Sequence, residues 1–139
     1  MASIGSEMLR LAVSQLGDLV HELVFVGGCT TELLITDEAA GDVRPTDDVD
    51  AIVEAATYAQ YQLFAERLQK RHFAVDTSEG APLCRWVNGS TVLDVMPLDE
   101  KTLGFTNIWY REAMQYAQER DIGLGIRARI VSPPYFCAT

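Results

Sequence analysis

Apolar residues recur along the chain with two different spacings, which predict helices and strands in alternation. Helical spacing over residues 7–20 and 57–71 predicts two amphipathic helices, and Ser6 stands at the N-cap position of the first. A third helix is predicted over residues 109–120. The stripe expected to be buried in the second helix consists of Tyr58, Tyr61, Phe64, Ala65 and Leu68.

Short apolar runs bounded by polar or glycine residues predict the strands. Leu23–Val26 is an apolar run stopped by Gly27 and Gly28, which is typical of a buried strand ending in a tight turn. Helix potential over residues 30–35 completes a strand–turn–helix unit, and a polar loop follows over 36–47. The other predicted strands are 49–53, 73–75, 83–87, 91–96 and 126–131, and Asn88-Gly89 between two of them predicts a hairpin.

The distribution of charge adds a functional element to this pattern. The chain has 139 residues, of which 20 are acidic and 11 basic, so its formal net charge is −9. Seven of the acidic residues lie between Asp37 and Glu54, where Arg44 is the only basic residue. This acidity excludes broad electrostatic capture of a nucleic-acid backbone, which needs a basic surface. It is compatible with a local acidic pocket that collects metal cations.

Length and composition favour one folded domain over residues 1–139, since 48% of the residues are hydrophobic. The N-terminus has no basic segment followed by an apolar one, and no apolar run approaches the 18 or so residues of a membrane helix. Three widely spaced cysteines, without a CxxC pair, indicate reduced thiols and no zinc site. We therefore expect a cytoplasmic protein without a membrane partner.

Three aspartates are the candidates for chemistry. Asp48 and Asp50 are two residues apart at a strand entrance, which places both side chains on one face with their Cα atoms about 6.7 Å apart. Asp94 interrupts the otherwise apolar strand 92–96, and a carboxylate in such a run normally has a partner or a metal. Either feature alone is more typical of a solvated turn or of a structural aspartate. Their combination with the Gly27-Gly28 turn indicates a metal site.

This set of residues suits two-metal phosphoryl chemistry. A pair of cations would lie between the carboxylates, with Asp94 binding the activating ion or accepting the proton of the incoming hydroxyl. Gly27 and Gly28 would let backbone N–H groups approach the phosphates. Dinucleotide-binding and P-loop motifs are absent from the sequence, which contains neither GxGxxG nor GxxxxGK.

The same motifs resemble a known family. Phe25-Val26-Gly27-Gly28, then the segment 44–50, then Leu93-Asp94-Val95-Met96-Pro97 resemble the nucleotidyltransferase superfamily of polymerase-β type. The set is most similar to the minimal AbiEii-like (abortive-infection toxin) nucleotidyltransferases, as is the stretch 103–110. The resemblance covers about residues 22–139.

This resemblance implies an α/β fold with a mixed β-sheet flanked by helices, built on a polymerase-β-type core. It also implies two Mg²⁺ ions and transfer of a nucleoside monophosphate from a nucleoside triphosphate to an acceptor hydroxyl. The implied metal and catalytic residues are Asp48, Asp50 and Asp94, and Gly27 and Gly28 would line the triphosphate. Further candidates for contact with phosphate are Thr30, Thr31, Arg44 and Arg85.

Several alternatives stay open at this stage. Arg44 and Arg85 have a second interpretation, which is pairing with nearby acidic residues. The acceptor is an RNA, a protein or a small molecule, as in an antibiotic-modifying transferase. Ser132 followed by two prolines predicts the start of a helix, so we expect a C-terminal helical part beyond residue 139. The main alternative function is a truncated or inactive transferase fold that serves as a binding or assembly module, as a homodimer or with an antitoxin partner in a toxin–antitoxin pair.

Overall fold

The computed structural model describes residues 4–30, 48–55, 57–98 and 110–132. Within these ranges the chain forms three α-helices and one sheet of seven strands. The helices are α1 (Ile4–Leu16), α2 (Tyr58–Lys70) and α3 (Tyr110–Gln115). The strands are β1 (Leu23–Val26), β2 (Val49–Val53), β3 (Ala74–Val75), β4 (Arg85–Asn88), β5 (Thr91–Met96), β6 (Gln118–Asp121) and β7 (Arg127–Ile130). Two 3₁₀ turns cover Gly17–Glu22 and Gly28–Thr30.

The sheet is mixed, with the strand order β3-β4-β5-β2-β1-β7-β6. β2 is parallel to β5 and β1 is parallel to β7, whereas the other neighbouring pairs are antiparallel. The predicted mixed α/β architecture is confirmed at this level. β1 is buried along its whole length, as its unbroken apolar run predicts for a central strand.

The hydrophobic core lies between the central strands and the helices that cover them. α1 contacts β5 and β2, and the Tyr61 hydroxyl of α2 donates a hydrogen bond of 3.0 Å to the carbonyl of Val95 on β5. Burial of these apolar faces is the main stabilising contribution to such a fold. The largest fully buried side chains include Leu9, Leu16, Leu23, Phe25, Ile52, Leu68, Leu93, Ile122 and Ile130.

The predicted second helix is confirmed, with one exception on its stripe. Thr57 caps α2 by accepting a hydrogen bond from the backbone N–H of Gln60, as an N-cap threonine should. The predicted side chains are buried apart from Tyr58, which is 62% exposed. Tyr58 is the first helical residue, and side chains lean toward the helix N-terminus, so its ring extends past the end of the packed face.

The first helix is displaced from its predicted bounds. It begins at Ile4, so Ser6 lies buried inside the helix and the prediction that it is an N-cap is wrong. It ends at Leu16 because Gly17 takes a left-handed backbone with φ 58°, a conformation that commonly terminates helices. Residues 17–22 continue as the 3₁₀ turn.

The third predicted helix is correct only in its first half. α3 ends at Gln115, and Gln118–Asp121 forms the edge strand β6 instead of a further helical turn. These residues favour helix locally, but pairing with β7 across a turn that contains Gly123 and Gly125 overrides that preference. The polar and charged side chains of β6 suit an exposed sheet edge.

The remaining strand predictions are confirmed to within two residues. The hairpin of β4 and β5 closes through Gly89 and Ser90, with Asn88 paired to Thr91 and Gly89 at φ 59°. The predicted helix over 30–35 beyond Thr30, the loop 36–47, the stretch 103–109 and the helix starting after Ser132 lie outside the described residues. In the part of the chain that the structure describes, no helix has the length and hydrophobicity needed to cross a membrane.

Candidate metal centre at β2 and β5

Strand register brings the three predicted aspartates together. Asp50 on β2 lies directly opposite Asp94 on the parallel neighbour β5. Asp48 precedes Asp50 by two residues and therefore points to the same face. One potential ligand atom from each of the three side chains lies within 4.8 Å of the other two. We refer to Asp48, Asp50 and Asp94 as the carboxylate triad.

The glycine turn after β1 lies against this triad. Val26, the last residue of β1, pairs with Asp50, so the turn that follows reaches the same end of the sheet. Gly27 has φ 76°, and a Cβ atom there would lie 3.2 Å from Cγ and 3.3 Å from Cβ of Asp50, and closer still to its carboxylate. Glycine at this position thus meets two requirements, a left-handed backbone and space for the Asp50 side chain.

The next residues of the turn hold its shape. The Thr30 hydroxyl and backbone N–H both bind the Gly27 carbonyl, at 2.8 and 3.2 Å, and the Thr30 side chain is fully buried. The Cys29 thiol donates to the Val26 carbonyl, and burial raises the pKa of Cys29 to about 12. Thr30, predicted as a phosphate contact, thus uses its hydroxyl within the turn. Gly28 is the exposed residue of this segment.

Arg85 is the cationic partner of the triad. It lies on β4 as the cross-strand neighbour of Asp94, and its Nε and Nη2 atoms donate to Oδ1 and Oδ2 of Asp94, both at 2.9 Å. Nη2 also lies 3.5 Å from Oδ2 of Asp48. This forked contact is the strong geometry of arginine with a carboxylate, and it raises the pKa of Arg85 further. Of the two interpretations of Arg85, the structure shows the pairing with acidic residues.

Burial and mutual repulsion perturb the titration of the triad. Burial, and then the proximity of Asp48 and Asp94, raise the pKa of Asp50 to about 8. Burial also raises the pKa of Asp94, although the bond from Arg85 acts against this shift. A pKa of about 8 favours the protonated Asp50 side chain at neutral pH, and hydrogen bonding with Asp48 contributes to this shift. A bound cation would take the place of that proton, and such perturbed groups cluster at functional sites.

Buried side chains of α2, of α3 and of the residue that precedes β4 lie near the triad. Burial raises the pKa of Tyr61 to about 12, that of Cys84 to about 11, and that of Tyr110 above its usual value, and a nearby triad carboxylate adds to each shift. These groups stay neutral and lower the polarity around the carboxylates. Cys84 and Tyr61 were not predicted as neighbours of the site. The sequence predicted that Tyr61 is buried, because it lies on the apolar stripe of α2. Its contact with β5, the strand that carries Asp94, follows only from the assembled fold.

The donor set fits a hard divalent cation. Three carboxylates offer the oxygen ligands that Mg²⁺ and Mn²⁺ prefer, without the nitrogen or sulfur atoms that would favour zinc. Asp50 on β2, Asp48 directly before β2 and Asp94 on β5 would hold the cation. Thr31 and Arg44, which the sequence also nominates, lie outside the described residues.

Comparison with known proteins adds no assignment. No protein-family model matches the chain, and no curated protein matches it at a significant level.

Proposed function

We propose that the protein is a metal-dependent nucleotidyltransferase that transfers a nucleoside monophosphate from a nucleoside triphosphate to an acceptor hydroxyl. The carboxylate triad supports this function most directly, because its three side chains converge within 4.8 Å beside a glycine turn. Isolated carboxylates repel one another at such distances, and a divalent cation relieves that repulsion. The acceptor class is an RNA, a protein or a small molecule.

Each residue of the site has a role in this proposal. Asp48, Asp50 and Asp94 would hold Mg²⁺, which when bound neutralises phosphate charge and activates the attacking hydroxyl. In the metal-free protein Arg85 orients the Asp94 carboxylate through its two bonds. Gly27 keeps the turn against Asp50 while exposed Gly28 leaves room for the triphosphate beside it.

The proposal includes a polymerase-β-type core for the sheet. β2, which begins directly after Asp48 and carries Asp50, lies between β1 with its glycine turn and β5 with Asp94. This central arrangement supports a polymerase-β-type core, the fold that the motifs resemble.

Transfer of a labelled nucleotide tests the proposed activity. The protein is incubated with each of the four α-³²P-labelled ribonucleoside triphosphates, Mg²⁺ and total RNA, and label in RNA, protein and small-molecule fractions is counted. We expect transfer from one or more nucleotides by the wild type and by Glu119→Gln, whose side chain lies on exposed β6 in an ion pair with Arg127. Asp50→Asn and chelation by EDTA should abolish it. Equal transfer by wild type and Asp50→Asn would contradict the proposal.

One observation favours a second candidate, a transferase fold that works as a binding or assembly module. Arg85 already occupies both oxygens of Asp94 and reaches Asp48, so part of the triad charge is balanced by the protein itself. Such a module would act through a partner surface, with an antitoxin or a second copy of the chain. Light scattering that gives a mass above one chain, together with unchanged stability in Mg²⁺, would favour this function over catalysis.

A further inference from the structure

Arg85 holds the same oxygens that a cation at the carboxylate triad would need. Its Nε and Nη2 atoms lie 2.9 Å from the two oxygens of Asp94, and Nη2 is 3.5 Å from Oδ2 of Asp48. Two of the three triad members therefore interact with the guanidinium, and a cation and Arg85 would be drawn to the same negative charge.

The two partners differ in their freedom to separate. The Asp94 side chain is 9% exposed and short, whereas the Arg85 side chain is 27% exposed and much longer. The antiparallel pairing of β4 and β5 keeps the two backbones adjacent whatever the side chains do. Arg85 is thus the group that can turn toward solvent without a change in the sheet.

Electrostatic competition favours such a movement. A divalent cation among the carboxylates would compete with the guanidinium for the oxygens of Asp94 and Asp48 and would repel it at short range. Once turned outward, the guanidinium would offer the planar set of donors that binds phosphate in two-point contacts.

We propose that Arg85 is a displaceable counter-cation of the triad, which leaves Asp94 and Asp48 when a divalent cation binds and then contacts the phosphates of the nucleotide. This inference rests on the proposed function, and it adds an order of events in which phosphate capture follows loading of the metal. Arg85 is accordingly assigned as a positioning residue in the metal-free protein and as a phosphate-binding residue in the loaded one.

Mn²⁺ binding to matched arginine variants tests the displacement. Free Mn²⁺ is titrated by electron paramagnetic resonance with wild type, Arg85→Gln and Arg127→Gln, followed by inorganic triphosphate at saturating Mn²⁺. Arg127→Gln removes the same charge from an exposed ion pair with Glu119. We expect Arg85→Gln to bind Mn²⁺ about tenfold more tightly than the wild type and triphosphate more weakly, with Arg127→Gln unchanged in both.

The outcomes separate this inference from the function on which it rests. Binding of Mn²⁺ by wild type, with equal or weaker binding by folded Arg85→Gln, would overturn the displacement and leave the metal site in place. Absence of Mn²⁺ binding in every protein would overturn the metal site and the inference together.

A spectroscopic measurement follows the displacement in the wild type itself, and a variant serves only to assign one signal. The arginine Nε–H signals are followed by ¹⁵N–¹H correlation spectra during a Mg²⁺ titration, with Arg85→Lys used to assign the Arg85 signal. The backbone amide signal of Asp50 reports when Mg²⁺ has saturated the triad. We expect the Arg85 signal to move toward the signals of solvated arginines over the same range of Mg²⁺ concentration. An Arg85 signal that stays in place at saturation would contradict the proposal.

Discussion

Replacement of Gly27 by alanine tests whether the turn after β1 fixes the position of the Asp50 carboxylate. The substitution has two costs. Alanine at φ 76° requires a left-handed backbone, which costs about 1–2 kcal/mol. The new methyl group also overlaps Asp50, and overpacking of this kind adds about 1–3 kcal/mol. We therefore expect Gly27→Ala to lower the free energy of unfolding by about 2–5 kcal/mol.

Gly125 provides a matched control for the backbone term. It has the same φ of 76°, and a Cβ atom there would have no neighbour within 4 Å. Gly125→Ala should therefore lose only the cost of the left-handed backbone, about 1–2 kcal/mol. In an Asp50→Ala background, the cost of Gly27→Ala should fall toward this value, because the carboxylate that the methyl group strikes is gone and only the Cβ atom at 3.3 Å remains.

Urea unfolding of these variants in EDTA gives the free energies, and Mn²⁺ titration gives the effect on the site. Gly27→Ala should weaken Mn²⁺ binding because Asp50 must move, whereas Gly125→Ala should leave it unchanged. Equal destabilisation by the two substitutions, with Mn²⁺ affinity retained in both, would refute the claim that the turn positions Asp50.

Two further predictions concern pH and the capping of α2. Because the pKa of Asp50 is raised to about 8 in the folded state, that state keeps a proton which the unfolded chain loses near pH 4. The metal-free wild type should thus lose stability as the pH rises from about 4 to about 8. Urea unfolding should show that Asp50→Asn loses less free energy of unfolding between pH 5 and pH 8 than the wild type does. Equal losses in the two proteins would contradict the assignment of the proton to Asp50. Thr57→Ala removes the N-cap bond to Gln60 and should lower the free energy of unfolding by about 1 kcal/mol in the same assay. Thr57→Ser should keep most of the stability of the wild type, because serine retains the hydroxyl. Equal stability of Thr57→Ala and Thr57→Ser would exclude the cap as a stabilising contact.

Local pattern was sufficient to nominate the carboxylate triad and the glycine turn beside it. The apolar run before Gly27, the spacing of Asp48 and Asp50, and the isolated carboxylate in the strand around Asp94 are all visible in short windows of sequence. Their convergence follows once β1, β2 and β5 are adjacent in the sheet. These features are predictable because each depends on a few neighbouring residues and on the alternation of side chains along a strand.

Features that depend on pairing between distant segments were not predictable in the same way. The sequence left two interpretations for Arg85, and the register of β4 against β5 decides for its contact with Asp94. The same holds for Gln118–Asp121, where pairing with β7 replaces a locally favoured helix. The raised pKa of Asp50 likewise results from burial and from carboxylates on other parts of the sheet. Such properties arise from the assembled fold.

Thermal unfolding with metal and nucleotide tests the central claim, that the triad is a metal-dependent nucleotide site. Wild type and Asp50→Asn are compared with and without Mg²⁺ and each nucleoside triphosphate, and Asp50→Asn suits the test because it imitates the neutral side chain of the metal-free protein. We expect Mg²⁺ with at least one triphosphate to raise the melting temperature of the wild type and to leave that of Asp50→Asn unchanged, since a ligand stabilises only the state that binds it. An equal rise in both proteins, or no rise in the wild type with any triphosphate, would contradict it.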